Sequence, residues 1–501
     1  MKRLPSRLPT AALVVLFVGC FCASAPILRA ADLASDISAA LRDKALAKGE
    51  AGVEILRLEG TRDGKPQVLF RHNSDIPLIP ASNLKLLTTS AFLDHFGADF
   101  KFKTTLANRG EDLILVGDGD PSFGDAELYK KLGWESTTVF ANWAEMLKKR
   151  GITSVNNVLV DDTILDQEFV HARWPANQQH LRYVAGVAGM NFNANALDFY
   201  LHVSGSGSVV NYETDPPATK YANVNNACVG GRDNAVWLSR TPNTNNVELK
   251  GETNADNAKP ISVSVHDPSL YAATVLRETL ESKGIKVTGK VDRDSTARTA
   301  LKASASDVRV MAIHETPLDA VLARANKDSM NLYAEAMCKR LGADVSGQPG
   351  SWKNGTAALA DFLGKCGVSA SESNLDDGCG LSKENKVSAN ALARVLAYNF
   401  ASTKVRQTFT NSLAVAGADG TLDKRFKDAG FTDLRGRVFA KSGFVNGVSS
   451  LSGYVKAKDD RWYAFSILMN GVGDIATCKQ IQEKIVRAID DASSVGVSSA
   501  R

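Results

Sequence analysis

The chain changes texture twice, and that limits how it can fold. Near the N-terminus a helical pattern over 32–47 precedes two β-type runs, 53–58 and 67–71, joined by a turn at Asp63-Gly64. Pro80 then opens a helical apolar pattern. From about residue 98 to about 300 the pattern shifts to short β-type runs such as 113–116 and 158–160. An Asn-, Gly- and Ser-rich stretch follows over 191–258, and then a helix candidate at 270–283. Helical patterns return at 318–324, 330–341, 357–366 and 389–400, with strands at 437–441, 449–456 and 462–468. An amphipathic helix carrying Ile481, Ile485 and Ile489 closes the series. At 501 residues the chain is too long for one core. The expectation is a multidomain α+β protein: one discontinuous domain from 31–97 and 302–490, interrupted by a β-rich insertion, 98–301, of two small domains. A polar tail, 491–501, is expected to fray.

Residues 1–30 carry four basic residues, Lys2, Arg3, Arg7 and Arg29, and no acid. An apolar run from Ala11 to Cys22 and the small residues Ala23, Ser24, Ala25, Ala30 and Ala31 complete the pattern of a secretory leader. The run is short for a membrane span. A buried N-terminal helix and a lipid anchor at Cys20, giving peripheral membrane association, are the alternatives. The chain has 59 basic and 55 acidic residues; without residues 1–30 both counts are 55. That balance argues against a nucleic-acid partner. Five of the seven cysteines lie beyond the leader, with no CxxC pair, and the seven histidines show no HxH or HExxH spacing, so no metal or cofactor is inferred. The expected location is outside the cytoplasm.

Chemistry concentrates at Ser82-Asn83-Leu84-Lys85, where a helix begins. Positions three apart share a helix face, so the Ser82 hydroxyl and the Lys85 amine can meet. Amides at a helix N-terminus favour negative charge developing nearby. Hydroxyl, amine and free N–H groups are what acyl transfer needs. Alone, the pattern reads more readily as a helix cap with a solvated lysine. Two further motifs add weight: Ser329-Met330-Asn331 between two helix candidates, and Lys441-Ser442-Gly443 at the end of a β-type run. SxN also occurs at Ser154 and Ser388, so only the joint order and context carry the signal. SxxK, SxN and K[ST]G in this order form the motif set of penicillin-binding proteins and serine β-lactamases.

With these motifs the chain resembles the D-Ala-D-Ala carboxypeptidase/endopeptidases among the class C low-molecular-mass penicillin-binding proteins. Asp377-Gly-Cys-Gly-Leu-Ser, Gly417-Ala-Asp-Gly-Thr-Leu and Leu451-Ser-Gly-Tyr extend the similarity, as do the 247 positions between Ser82 and Ser329. The resemblance implies the penicillin-binding, serine β-lactamase-like transpeptidase fold, a central antiparallel sheet flanked by helices and interrupted by extra domains. It implies hydrolysis of D-Ala-D-Ala bonds in peptidoglycan stem peptides, and β-lactam antibiotics as covalent inhibitors. By matching positions, Ser82 is the nucleophile and Lys85 the general base. Ser329 shuttles a proton to the leaving amine, Asn331 orients substrate and lysine, and Lys441 draws in the substrate carboxylate. The oxyanion site falls to the N–H groups of Ser82 and Phe444, beside Ser442 and Gly443.

Three positions depart from the family pattern. Ser442 replaces threonine and keeps a hydroxyl. Phe444 replaces a hydroxyl residue that holds the terminal carboxylate, which implies weaker carboxypeptidase action and more cleavage of cross-links. Cys379 replaces serine, read as small-residue packing, with a reactive thiol as the alternative. Two other functions stay open: a β-lactamase or esterase with the same motifs, and a wall-binding protein without turnover. Asp118, Asp120, Asp161 and Asp162 read as turns at strand ends, with metal ligation as the alternative.

Overall fold

The computed structural model describes residues 25–61 and 64–494. The leader reading over 1–24, Cys20 included, lies outside them, as do Asp63 of the expected turn and residues 495–501. The first helix, Ala25–Leu41, begins earlier than the pattern suggests and crosses position 30. It stops short of residue 47 because Asp43 turns to extended backbone and caps a separate short turn, Lys44–Leu46, accepting from Ala45 N at 3.0 Å.

Both ends of the chain build one six-stranded sheet. Its order is Ala414–Val415, Val438–Val445, Val448–Lys456, Trp462–Asn470, Glu50–Arg57, Gln67–His72, and every neighbour is antiparallel. Glu50–Arg57 pairs with Trp462–Asn470 along its whole length, so the N- and C-terminal segments are joined by a ladder. The central strands are buried on both faces, which requires a layer on each side. One layer is Ala25–Leu41 with Ile475–Ser494, whose Ile37, Ile481, Ile485 and Ile489 meet Val53, Ile55, Phe465 and Ile467. The other holds the helices Leu84–Phe96, Asn331–Ser346, Trp352–Lys365 and Ala389–Ala401 around Leu87, Phe92, Tyr333 and Leu392.

The intervening residues form a second, mixed sheet ordered Val291–Arg293, Val158–Asp161, Asp112–Val116, Lys101–Arg109, Arg309–Pro317. The last strand lies beyond the expected boundary at 302; it belongs with this sheet because it pairs with Lys101–Arg109 from end to end. The region is also less purely β than expected. Helices Thr138–Lys149 and Pro268–Ser282 pack on it, the first burying Val139, Phe140, Trp143, Ala144 and Leu147 as one stripe. Two three-stranded sheets enclose a smaller core of Phe199, Leu201, Cys228, Leu238 and Leu249. The expected frayed tail is helical through Ser494, held by Asp490 on Arg437 and Asp491 on Lys458. Among the described residues no helix is long and apolar enough to cross a membrane.

Candidate active site

The nucleophile motif straddles two kinds of helix. Ser82 sits in the short turn Ala81–Asn83, and Lys85 lies in the first turn of Leu84–Phe96. That helix is buried at every position from Leu84 to Leu93. A helix enclosed on all sides holds its first turn rigidly. Lys85 is fully buried. Its Nζ donates to Ser82 Oγ at 3.0 Å, Asn331 Oδ1 at 2.7 Å and the Cys379 carbonyl at 2.8 Å.

Ser329 and Asn331 flank the start of Asn331–Ser346. Ser329 has φ +59°, a left-handed conformation that costs a residue with a Cβ roughly 1–3 kcal/mol and marks a constrained functional turn. Asn331 Nδ2 donates to the Tyr183 carbonyl at 2.8 Å, which leaves Oδ1 as the acceptor facing Lys85. Asp125, from the inserted region, accepts from Arg324 Nη2 at 2.8 Å and from the Tyr333 hydroxyl. One carboxylate thereby ties together the helices before and after the SxN turn.

The third motif lies on Val438–Val445. Lys441 Nζ, fully buried, donates to Ser329 Oγ at 2.8 Å and to the Ser442 carbonyl at 2.7 Å. Ser442 Oγ meets Thr421 Oγ1 at 2.9 Å. Gly443 packs so closely that a Cβ would lie 2.2 Å from Ser450 Oγ and 2.9 Å from the Pro80 carbonyl, so only glycine fits between strand and nucleophile turn. Asn83 Nδ2 closes the junction on the Lys441 carbonyl at 2.9 Å. Phe444 is 60% exposed at the edge of the cleft.

Burial lowers the proton affinity of both amines. For Lys85 the neighbouring Cys379, Asp377 and Glu335 pull the other way. Lys441 lies well below the ordinary lysine range, through burial first and the Lys85 charge second, with Asp328 opposing. Three polar partners surround Lys85 Nζ and two surround Lys441 Nζ.

Several neighbours carry no obvious sequence signal. Cys379 contributes its backbone carbonyl, and burial raises its thiol pKa well above the ordinary value, which removes the reactive-thiol alternative. Glu335, Asp377 and Cys379 place ligand-type atoms within 4.8 Å of one another. Donors already fill those carboxylates. Asp377 accepts from Trp174 Nε1 at 2.9 Å, Gly380 N at 2.7 Å and Ser382 N at 2.7 Å, and Glu335 accepts from Trp352 Nε1 at 2.7 Å. The acids of the inserted sheet are likewise engaged: Asp162 pairs with Arg293 and Asp118 with Arg340. All five cysteines of the described residues are buried and unpaired.

Comparison with known proteins agrees with this geometry. The model of the D-Ala-D-Ala carboxypeptidase 3 (S13) family matches residues 33–492. The chain is 31% identical to the D-alanyl-D-alanine carboxypeptidase of Actinomadura sp. (strain R39), over 88% of this chain and 82% of that one. It is 27% identical to the D-alanyl-D-alanine carboxypeptidase DacB of Haemophilus influenzae, covering 82% and 84%. The crystal structure of penicillin binding protein 4 from Haemophilus influenzae superposes with a TM-score of 0.72 at 24% identity, covering 90% of this chain and 99% of that one, which shows the same fold. A second structure of that protein, in complex with a β-lactam, gives 0.68 at 24% identity, covering 91% and 99%. The chain thus belongs to the D-Ala-D-Ala carboxypeptidase 3 (S13) family, a penicillin-binding-fold group of serine-type D-Ala-D-Ala carboxypeptidases.

Proposed function

We propose that this chain is an exported serine acyl-enzyme that cleaves D-Ala-D-Ala bonds of peptidoglycan peptides and is trapped by β-lactams. The observation that carries the reading is the three-way hold on Lys85 Nζ. Once the amine is neutral it has two N–H bonds and one lone pair. Asn331 Oδ1 and the Cys379 carbonyl can only accept, so they take both N–H bonds and the lone pair is left for the Ser82 hydroxyl. An ordinary lysine, near pKa ~10.4, is neutral in only about one molecule in 2,500 at pH 7, a deficit of about 4–5 kcal/mol that the site must supply.

Burial supplies part of that deficit, and substrate supplies the rest. A carboxylate arriving beside Lys441 favours its ammonium form. That new positive charge then disfavours the ammonium on Lys85. The neutral Lys85 takes the proton from Ser82 as Oγ attacks the D-Ala carbonyl, and the C–N bond breaks as Ser329 passes its proton to the leaving amine and takes another from the Lys441 ammonium that donates to its Oγ. Water then releases the peptide from Ser82.

The oxyanion would sit between the N–H groups of Ser82 and Phe444. The two-residue turn Asn446-Gly447 makes Val445 and Val448 a hydrogen-bonded pair, so alternation leaves Phe444 in a non-bonded pair with Ser449. Its N–H is thereby turned away from the neighbouring strand. The exposed Phe444 ring offers a free C-terminal carboxylate no hydroxyl, which favours cross-linked peptides over pentapeptides.

Fluorescent penicillin labelling of wild type and Ser82→Ala, with mass spectrometry of the adduct, tests the assignment. Labelling is expected on Ser82 alone and absent in the variant; labelling that persists refutes it. Release of D-Ala from a pentapeptide and from a cross-linked dimer measures substrate preference. Rapid loss of label would identify a β-lactamase instead.

A further inference from the structure

Beneath Lys85, the segment Asp377-Gly378-Cys379-Gly380 is clamped at every peptide group that faces the amine. Gly378 N–H donates to both Glu335 oxygens, at 3.0 and 3.1 Å. The Gly378 carbonyl accepts from Thr88 Oγ1 at 2.6 Å. Cys379 N–H and Gly380 N–H both donate to Asp377 Oδ1, at 3.1 and 2.7 Å, and the second bond fixes the peptide whose Cys379 carbonyl faces Lys85 Nζ. The segment has no room to shift, because a Cβ on Gly378 would lie 2.5 Å from Cys338 Cβ and one on Gly380 1.9 Å from the Ala81 carbonyl. Glu335 is on the same helix as Asn331, one turn further on. That helix therefore reaches Lys85 twice, directly through Asn331 and indirectly through Glu335 and the clamped peptide.

We infer that Glu335 is a positioning residue for the general base: by holding Gly378 N–H it fixes the turn whose Cys379 carbonyl aims the Lys85 lone pair at Ser82, and its charge sets how readily Lys85 releases its proton. This rests on the acyl-enzyme reading above. The groups facing Glu335 are Asp377, Cys379, Cys338, Lys339 and Lys85, and those facing Lys85 are Cys379, Asp377, Glu335 and Lys441. Burial and Asp377 push the Glu335 carboxyl up to about 7. Its oxygens meet the Gly378 and Trp352 N–H donors and the Cys379 thiol, so protonation sets an O–H against one of these donors. As the Glu335 carboxyl takes up a proton with falling pH, the clamp loosens.

Two variants separate aiming from charge. Glu335→Gln keeps an oxygen between Gly378 N–H and Trp352 Nε1 but removes the negative charge that favours the Lys85 ammonium. Thr88→Val loosens the next peptide of the same turn, at the Gly378 carbonyl, without changing charge. Acylation of the full chain by a chromogenic cephalosporin is followed from about pH 5 to about pH 9, with melting temperature as the check on folding. E335Q is expected to move the acid limb down by about half to one pH unit. T88V is expected to lower the plateau by about tenfold and leave the limb in place.

An E335Q limb that coincides with the wild-type limb overturns the inference, as does a T88V plateau equal to wild type. Should E335Q fail to fold, the T88V plateau decides alone. Failure of wild-type protein to acylate at Ser82 would instead sink the acyl-enzyme reading. A purely structural Glu335 would lower the melting temperature without moving the limb.

Discussion

Two clusters of buried charge in this molecule use similar side chains to opposite ends. At the rim of the inserted sheet, Asp120 accepts from Ser122 N at 2.8 Å and from Thr316 Oγ1 at 2.7 Å, and Asp161 from Thr163 N at 3.1 Å and Arg298 N at 2.6 Å. Each carboxylate there ends on donors that have nowhere else to go, which fixes a turn. In the cleft, the two amines are also buried and also bonded, yet their proton count is unsettled. The Lys85 charge disfavours the ammonium on Lys441, and removing one proton from Lys85 frees a lone pair toward Ser82. Fully satisfied polar groups build structure; a group that can lose a proton and still keep its other partners can do chemistry.

The largest expected effect comes from removing the group with the free lone pair. Lys85→Met fills similar volume with no proton acceptor, and should cut the acylation rate by a thousandfold or more, as loss of a general base costs about 10²–10⁴. Stopped-flow measurement with a chromogenic cephalosporin checks it. A fall of less than about tenfold would mean that another group activates Ser82 and that the cleft is as static as the acid rim.

How much of this contrast was legible from residues alone varies by segment. The helices that carry Ser82 and Asn331 and the strand that carries Lys441 follow from apolar periods and turn signals that the tertiary fold reinforces. Of the helix Thr138–Lys149 only the basic end at Lys148–Arg150 is legible as a helix terminus, and its stripe, Val139, Phe140, Trp143 and Leu147, went unread although it has helical spacing. Strand Arg309–Pro317 was missed for a physical reason: it is an edge strand whose residues are mostly exposed or half-buried, so no alternation marks it. The catalytic side chains were readable because their types are chemically distinctive. The aiming of Lys85 was not, because Cys379 acts through a backbone carbonyl that any residue would carry, and Glu335 through a peptide N–H.

A smaller effect should follow from Lys441, and it is the one that tests whether the two amines share protons. The rate of acylation should be bell-shaped in pH. At low pH Lys85 is an ammonium and cannot accept from Ser82; at high pH Lys441 loses the charge that attracts the carboxylate. Both limbs belong to the coupled pair rather than to one lysine. Lys441→Met should lower acylation by about a hundredfold and abolish the advantage of a free penicillin over its methyl ester. An intact preference for the free carboxylate in this variant would place carboxylate recognition elsewhere.

The smallest catalytic effect is expected at the acid rim, where the comparison is sharpest. Asp120 is buried and its oxygens face only donors, the Ser122 N–H and hydroxyl and the Thr316 hydroxyl. In Asp120→Asn the new NH₂ can donate to the Thr316 hydroxyl, but that hydroxyl then loses its own acceptor, leaving a buried donor unpaired at a cost of about 1–3 kcal/mol. Thr316 lies on the strand that leads directly into Leu318–Asn326 and on to Ser329, so the damage could in principle travel to the cleft. Asp125 argues against that. It fixes Arg324 and Tyr333 on both sides of the SxN turn without help from Asp120. D120N should therefore melt several degrees lower while keeping its acylation rate within about twofold of wild type. A proportional loss of rate and stability would show that the inserted sheet holds the cleft in shape as a single cooperative unit.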